Sequence, residues 1–176
     1  RAAHAGAAAA AGFDMGSENA NTSALLTAQQ ELGVGRETFH ALASGGIYPH
    51  KDIAAVISSG SFRTEGMVII PCSMNTLAAI AHGSSDNLIT RAADVMLKER
   101  RRLILVPREA PLNLIQLRNM VSVTEAGGVI VPPVPAFYLG LETLEQAARQ
   151  MAGRILDQFG IHLPIVKRWQ GMRGPV

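Results

Sequence analysis

The chain has 176 residues, 48% of them apolar, and a formal net charge of +2. That is a one-domain length with enough apolar surface for a sizeable core, and no apolar run approaches the roughly 20 residues that span a bilayer. The lone cysteine, Cys72, excludes an internal disulfide and any paired-cysteine motif, and so weak a net charge gives no footing for a nucleic-acid partner. No charged segment followed by an apolar core and a cleavage site opens the sequence, so a cytoplasmic protein is the expectation.

Residues 2–11 are almost pure alanine, a good helix former with little to anchor it. Ser17 is placed to cap a helix running to about Leu32, which Gly33 ends. Residues 33–51 read as loop, because Gly45, Gly46 and Pro49 are all breakers. No N-terminal strand is visible. From Asp52 onward the pattern becomes rhythmic. Three short β-branched runs recur, at residues 67–70 (MVII), 103–106 (LILV) and 129–131 (VIV). None alternates polar with apolar, which suits strands buried on both faces of a parallel sheet. Each is followed by proline, which is expected to stop the strand. Helical patterns lie between and after them: from Ser73 to about His82, Leu88 to about Arg100, Leu114 to Glu125 and Leu144 to Phe159. Leu88, Ala92, Val95 and Met96 form one stripe of the second. The basic run 98–102 (KERRR) closes that helix and reads as a solvated face favoured by the helix dipole. Alternating strands and helices predict βαβ units, right-handed crossovers and an open three-layer α/β/α domain.

In such a sheet, ligands bind beyond the carboxyl ends of the strands. The residues there are Pro71-Cys72-Ser73-Met74-Asn75-Thr76, then Pro107-Arg108-Glu109-Ala110-Pro111, then residues 132–138 (PPVPAFY). Ser73 and Thr76 open a helix directly after a strand. Free backbone N–H groups, two hydroxyls and the positive helix end suit an anion there, although on these residues alone an ordinary N-cap is the favoured reading. Arg108 and Glu109 could form a surface ion pair, but charges placed at the mouth of a buried strand are more suggestive of a site than most. Arg91 has Asp94 and Asp86 as nearby structural partners, and Tyr138 reads as a packing residue. Cys72 reads as a small buried hydrophobe, since nothing adjacent would activate it. His4, His40, His50, His82 and His162 show no ligand spacing, so no metal is expected.

Residues 52–62 (DIAAVISSGSF), 71–76 (PCSMNT), 88–112 (LITRAADVMLKERRRLILVPREAPL), 117–120 (LRNM) and 132–138 (PPVPAFY) occur in an order and spacing that resemble the flavin prenyltransferase family, the UbiX-like proteins. The likeness covers about Asp52 to Gly171. It implies a flavodoxin-like fold, FMN as cofactor, dimethylallyl phosphate as substrate, a homododecamer, and delivery of prenylated FMN to a UbiD-type decarboxylase in ubiquinone or aromatic-acid metabolism. It also implies roles for residues of this chain. Ser73, Met74, Asn75, Thr76 and Arg108 match positions that hold FMN. Tyr138, Arg154 and Lys98 match positions on the dimethylallyl phosphate, and Arg91 matches another arginine near it. Glu109 matches a glutamate that passes a proton to the departing phosphate, Trp169 an aromatic wall, and Glu18 an upstream acidic position. The types suit the chemistry, because cations and donors stabilise a leaving phosphate in place of a metal. An aromatic face also tolerates allylic cation character.

Two departures stand out. Asn75 replaces the lysine of the family's SMKT sequence, which removes a positive charge near the flavin site. The family's opening strand and glycine-rich GASG-type loop are not recognisable, so the sheet is expected to lack its first strand and FMN binding to be weakened. A flavin-dependent cysteine decarboxylase of the same broad fold is one alternative, but it does not account for Lys98, Arg108, Glu109 and Tyr138. A truncated homologue that only folds and oligomerises is another.

Overall fold

The computed structural model describes residues 47–169 and Gly171. The helix expected from Ser17, the alanine-rich stretch, Glu18 and most of the expected loop lie outside the described residues. Two compact units divide between Pro132 and Pro133.

Among the described residues the first unit has three parallel strands in the order β1-β2-β3: β1 (Gly66–Cys72), β2 (Arg102–Pro107) and β3 (Val129–Ile130). Helices α1 (Met74–Ala81) and α2 (Leu88–Lys98) connect β1 to β2, and α3 (Leu114–Glu125) connects β2 to β3. This is the open α/β/α arrangement expected from the sequence, of flavodoxin type. Its strands fall where the β-branched runs are. The prolines behave differently from expectation. Pro71 and Pro107 lie within β1 and β2 rather than beyond them. β1 pairs in register from Gly66↔Arg102 to Ile69↔Leu105, then slips and resumes at Cys72↔Pro107. Pro71 offers the ladder no N–H, and the irregularity falls where it sits.

Alternate residues of β2 face opposite sides, and both sides are buried. Leu103 and Leu105 join Met67, Ile69, Cys72, Leu77, Val95, Met96 and Val123 in one apolar cluster. Ile104 and Val106 face the other way and are equally buried. The predicted stripe Leu88, Ala92, Val95 and Met96 is the buried face of α2. Side-chain caps set where the helices start. Asn87 Oδ1 accepts from the amides of Ile89 and Thr90 at 2.9 and 3.1 Å, while Thr90 Oγ1 accepts from the Asn87 amide. Asn113 and Gln116 exchange the same pair of bonds at α3. Each box satisfies amide groups that a helix start leaves without partners. Helix α3 buries only Asn119 and Val123 and leaves Leu114, Ile115, Leu117 and Val121 exposed.

The basic run after α2 is more than a solvated face. Arg101 donates to the carbonyls of Gly60 and Phe62, both at 2.6 Å, and so fastens the segment before β1 to the end of α2. Lys98 and Glu99 form an ion pair at 2.5 Å, which holds the Glu99 carboxyl below its ordinary range. A Cβ at Gly60 would fall 2.1 Å from Glu99 Oε1 and 2.8 Å from Lys98 Nζ, so the exposed ends of this ion pair would have to move aside for a side chain there.

The second unit centres on α4 (Leu144–Asp157), capped by Thr143 Oγ1, which accepts from the Gln146 amide at 3.1 Å. Before it comes a 3-10 turn at Phe137–Leu139. After α4 the segment 163–169 lies across the helix. Gln150 donates to the Lys167 carbonyl and accepts from the Lys167 amide, both at 2.8 Å. Beside this pair a Cβ on Gly153 would stand 2.2 Å from Val166 Cγ2. Only a glycine lets the segment approach the helix this closely. Among the described residues no helix is long and apolar enough to cross a membrane.

Candidate functional site

The pairing Cys72↔Pro107 brings two loops to one edge of the sheet. Ser73 follows directly on β1 and Arg108 directly on β2, so the sequence-derived loops share the carboxyl edge. Ser73 caps α1: its Oγ accepts from the Thr76 amide at 3.1 Å and lies 3.0 Å from Thr76 Oγ1. Ser73 and Asn75 are exposed, while Met74 packs against the core cluster. Arg108 is exposed and makes no hydrogen bond or ion pair among the described residues. Glu109 is exposed too, and its Oε1 accepts from the Ala110 amide at 3.3 Å. Two hydroxyls, the amide end of a helix and an uncommitted guanidinium make a donor set that suits a phosphate-bearing flavin. The adjacent Cys72 takes no part in such chemistry. It is buried, and burial pushes its thiol up to about 12.

Arg91 is committed to other partners, and Lys98 is not at this edge. Arg91 donates to Asp94 Oδ2 at 2.8 Å and to the Ser58 carbonyl at 3.2 Å. Lys98 closes α2 just before the amino end of β2, whereas Arg108 leaves its carboxyl end. The length of the strand, about 20 Å for six residues, separates them within one chain.

The second unit gathers the remaining candidates around an acid that sequence reasoning missed. The Asp157 side chain is only 7% exposed, and its two oxygens receive four hydrogen bonds. Arg168 donates end-on, Nη2 to Oδ1 at 2.7 Å and Nη1 to Oδ2 at 3.1 Å. His162 Nδ1 donates to Oδ1 at 2.8 Å, and Arg154 Nη1 to Oδ2 at 2.7 Å. These donors, Arg168 first and then His162 and Arg154, hold the carboxyl well below the usual carboxylate range. The same pairing raises Arg168 above its ordinary value. One residue on, the Trp169 ring meets Tyr138 edge-to-face, centroids 6.2 Å apart at 87°. Tyr138, Arg154 and Trp169 thus belong to one small network. A signal for Asp157 was present in the sequence. An acid in the last turn of a helix opposes the dipole, and it is tolerated when basic residues such as Arg154, His162 and Arg168 surround it.

A parallel α/β unit with a hydroxyl-lined helix start at its carboxyl edge belongs to the class of flavin- and nucleotide-binding folds. The sequence profile described as Flavoprotein matches residues 28–158. A Bacillus subtilis protein named as a probable UbiX-like flavin prenyltransferase is 52% identical over 147 residues, which are 84% of this chain and 72% of that protein. The crystal structure of AnUbiX in complex with FMN and dimethylallyl pyrophosphate superposes with a TM-score of 0.78 at 51% identity, covering 85% of this chain and 79% of that one. A dodecameric FMN-dependent UbiX-like decarboxylase from Escherichia coli O157:H7 gives 0.77 at 49% identity, covering 84% and 80%. The chain belongs to the UbiX-like flavin prenyltransferase family.

Proposed function

We propose that the chain transfers a dimethylallyl group from dimethylallyl phosphate to reduced FMN and hands the prenylated flavin to a UbiD-type decarboxylase. One observation supports the reading: the Cys72↔Pro107 pairing, after which Ser73, Thr76, Arg108 and Glu109 follow at the carboxyl edge of the sheet, in a chain 52% identical to a probable flavin prenyltransferase. When bound, reduced flavin supplies the nucleophilic nitrogen that takes up the allyl carbon.

The residues divide the work. Ser73, Met74, Asn75 and Thr76 hold the flavin through the start of α1, and Arg108 adds a cation. Tyr138 and Arg154 hold the phosphate ester, whose departure leaves negative charge that the guanidinium stabilises. Glu109 delivers the proton that the phosphate takes as it leaves. The Trp169 ring, fixed against Tyr138, tolerates positive character on the allyl carbon. Lys98 lies a strand length from Arg108 within one chain, so we assign its contribution, and that of Arg91, to a phosphate site that a neighbouring copy completes. The exposed apolar residues of α3 suit burial between copies, and the Escherichia coli relative is a dodecamer. We treat residues 1–176 as one flavoprotein domain and assign it to the cytoplasm, where a lone thiol stays reduced.

The test is to mix the protein with reduced FMN and dimethylallyl phosphate and follow the flavin by mass. The expected result is a flavin heavier by one dimethylallyl group. Unchanged flavin after prolonged incubation with active relatives as control overturns the reading. For the phosphate assignment, Arg154→Ala should weaken dimethylallyl phosphate and leave FMN titration nearly unchanged. Equal loss of both overturns it.

A further inference from the structure

The Asp157 cluster has more order than an ion pair on a surface helix needs. A carboxylate has about four good acceptor positions, and all are filled here, by Arg168 twice and by His162 and Arg154 once each. Arg154 comes from one turn earlier on α4. Arg168 comes from the segment that Gln150 and the Gly153–Val166 contact hold against the same helix. Arg154 gives Asp157 one corner of its guanidinium and leaves the rest of the fork open. The cluster stays cationic, because one carboxylate faces two guanidinium groups.

We propose that Asp157 is a positioning residue for the substrate phosphate. It fixes Arg154 in one orientation and couples it, through Arg168, to the segment that carries Trp169 against Tyr138. Left to itself, an exposed arginine side chain samples many rotamers, and ordering it on binding lowers affinity. Asp157 removes that cost before the ester arrives. An acid beside a phosphate site would normally repel the ligand, so its buried, fully satisfied state matters: its charge is already matched by the donors around it. The ligand class is a phosphate monoester, and the inference rests on the reading that Arg154 binds it.

The experiment uses the full chain with saturating reduced FMN and compares Asp157→Asn, Asp157→Glu, Arg154→Ala and the Arg154→Ala/Asp157→Asn double variant. KM for dimethylallyl phosphate, kcat, FMN affinity and thermal midpoint are measured for each. Both Asp157 variants should raise KM about tenfold with kcat and FMN affinity within about twofold, the split expected when ground-state binding is lost. Asp157→Glu is informative because it keeps the charge but moves it, which a purely structural acid would tolerate. In the double variant the Asp157 change should add nothing to Arg154→Ala, since it acts through that residue. Wild-type KM in both Asp157 variants, losses that multiply in the double variant, or parallel loss of FMN affinity would each overturn the proposal. So would failure of both Asp157 variants to fold. If Arg154→Ala leaves KM unchanged, the phosphate reading itself is wrong. If it raises KM while the Asp157 variants do not, only this inference is.

Discussion

The strand-end edge and the C-terminal helix offer two ways of presenting donors to a ligand. At the edge, Ser73, Thr76 and Arg108 inherit their positions from β1 and β2, in which Met67, Ile69 and Cys72 and all of Leu103 to Pro107 are buried. Their own side chains make few contacts, because the backbone beneath them is already fixed. Around α4 little apolar burial supports the cations, and a carboxylate with four bonds does the positioning. Rigid backbone suits a flat cofactor met by amides and hydroxyls. A side-chain network suits a small, highly charged ester that needs guanidinium groups in set orientations.

The largest effect that tests this contrast belongs to Glu109. Glu109→Gln keeps the shape of the edge but cannot release a proton, so turnover should fall by ~10²–10⁴ with much smaller changes in KM. Steady-state kinetics checks it, and turnover like wild type would remove Glu109 from the mechanism. Next comes the support beneath the edge. Leu103→Ala opens a cavity in the core cluster and should cost about 2–5 kcal/mol in denaturant unfolding, with FMN affinity falling alongside. A smaller effect separates the regions more cleanly. Ser73→Ala removes the α1 cap, at about 1 kcal/mol, and should weaken FMN without moving KM for dimethylallyl phosphate. If it moves KM as much as Arg154→Ala does, the division between the two regions fails.

The smallest expected effect is acid sensitivity. Asp157 has its pKa depressed by Arg168, His162 and Arg154 in the folded protein. Its contribution is therefore complete above the ordinary aspartate value, about 3.9, and declines as pH falls below that toward the folded value. Thermal midpoints of wild type and Asp157→Asn should converge as the solution is acidified below about pH 4. A gap that stays constant down to the lowest measurable pH counts against the network.

The strands were readable because runs such as MVII and LILV are rich in β-branched residues and lack alternation; LILV is buried on both faces as that pattern implies, whereas β1 buries Met67 and Ile69 and leaves Ile70 exposed. The helix ends were readable because Gly83, Gly127 and Gly160 follow the helical patterns that begin at Ser73, Leu114 and Leu144, and all three glycines take positive φ. The strand ends were not, since Pro71 interrupts pairing by slipping the register rather than stopping the strand, and only the partner strand reveals that. The place of Ser73, Thr76, Arg108 and Glu109 at the carboxyl edge followed from strand position, while the roles proposed for them depended on resemblance. Tyr138, Arg154 and Trp169 depended on resemblance. Asp157 escaped because its only sequence signal is an acid in the last turn of a helix near basic residues, and that pattern does not announce that donors from residues 154, 162 and 168 converge on it. The close approach at Gly153 was hidden for the same reason.

The buried Cys72 has a practical consequence. With its thiol pushed up to about 12, the thiolate fraction near neutrality is ~10³-fold lower than for a free cysteine. As the sequence contains no other sulfhydryl, the native chain is nearly silent toward maleimides and iodoacetamide while folded. A cysteine introduced on the exposed face of α3, at Ile115 for instance, becomes a single reporter on an unaltered background. Its labelling rate at falling protein concentration would then report whether that face is covered by another copy. Appearance of reactivity at Cys72 itself would signal opening of the core.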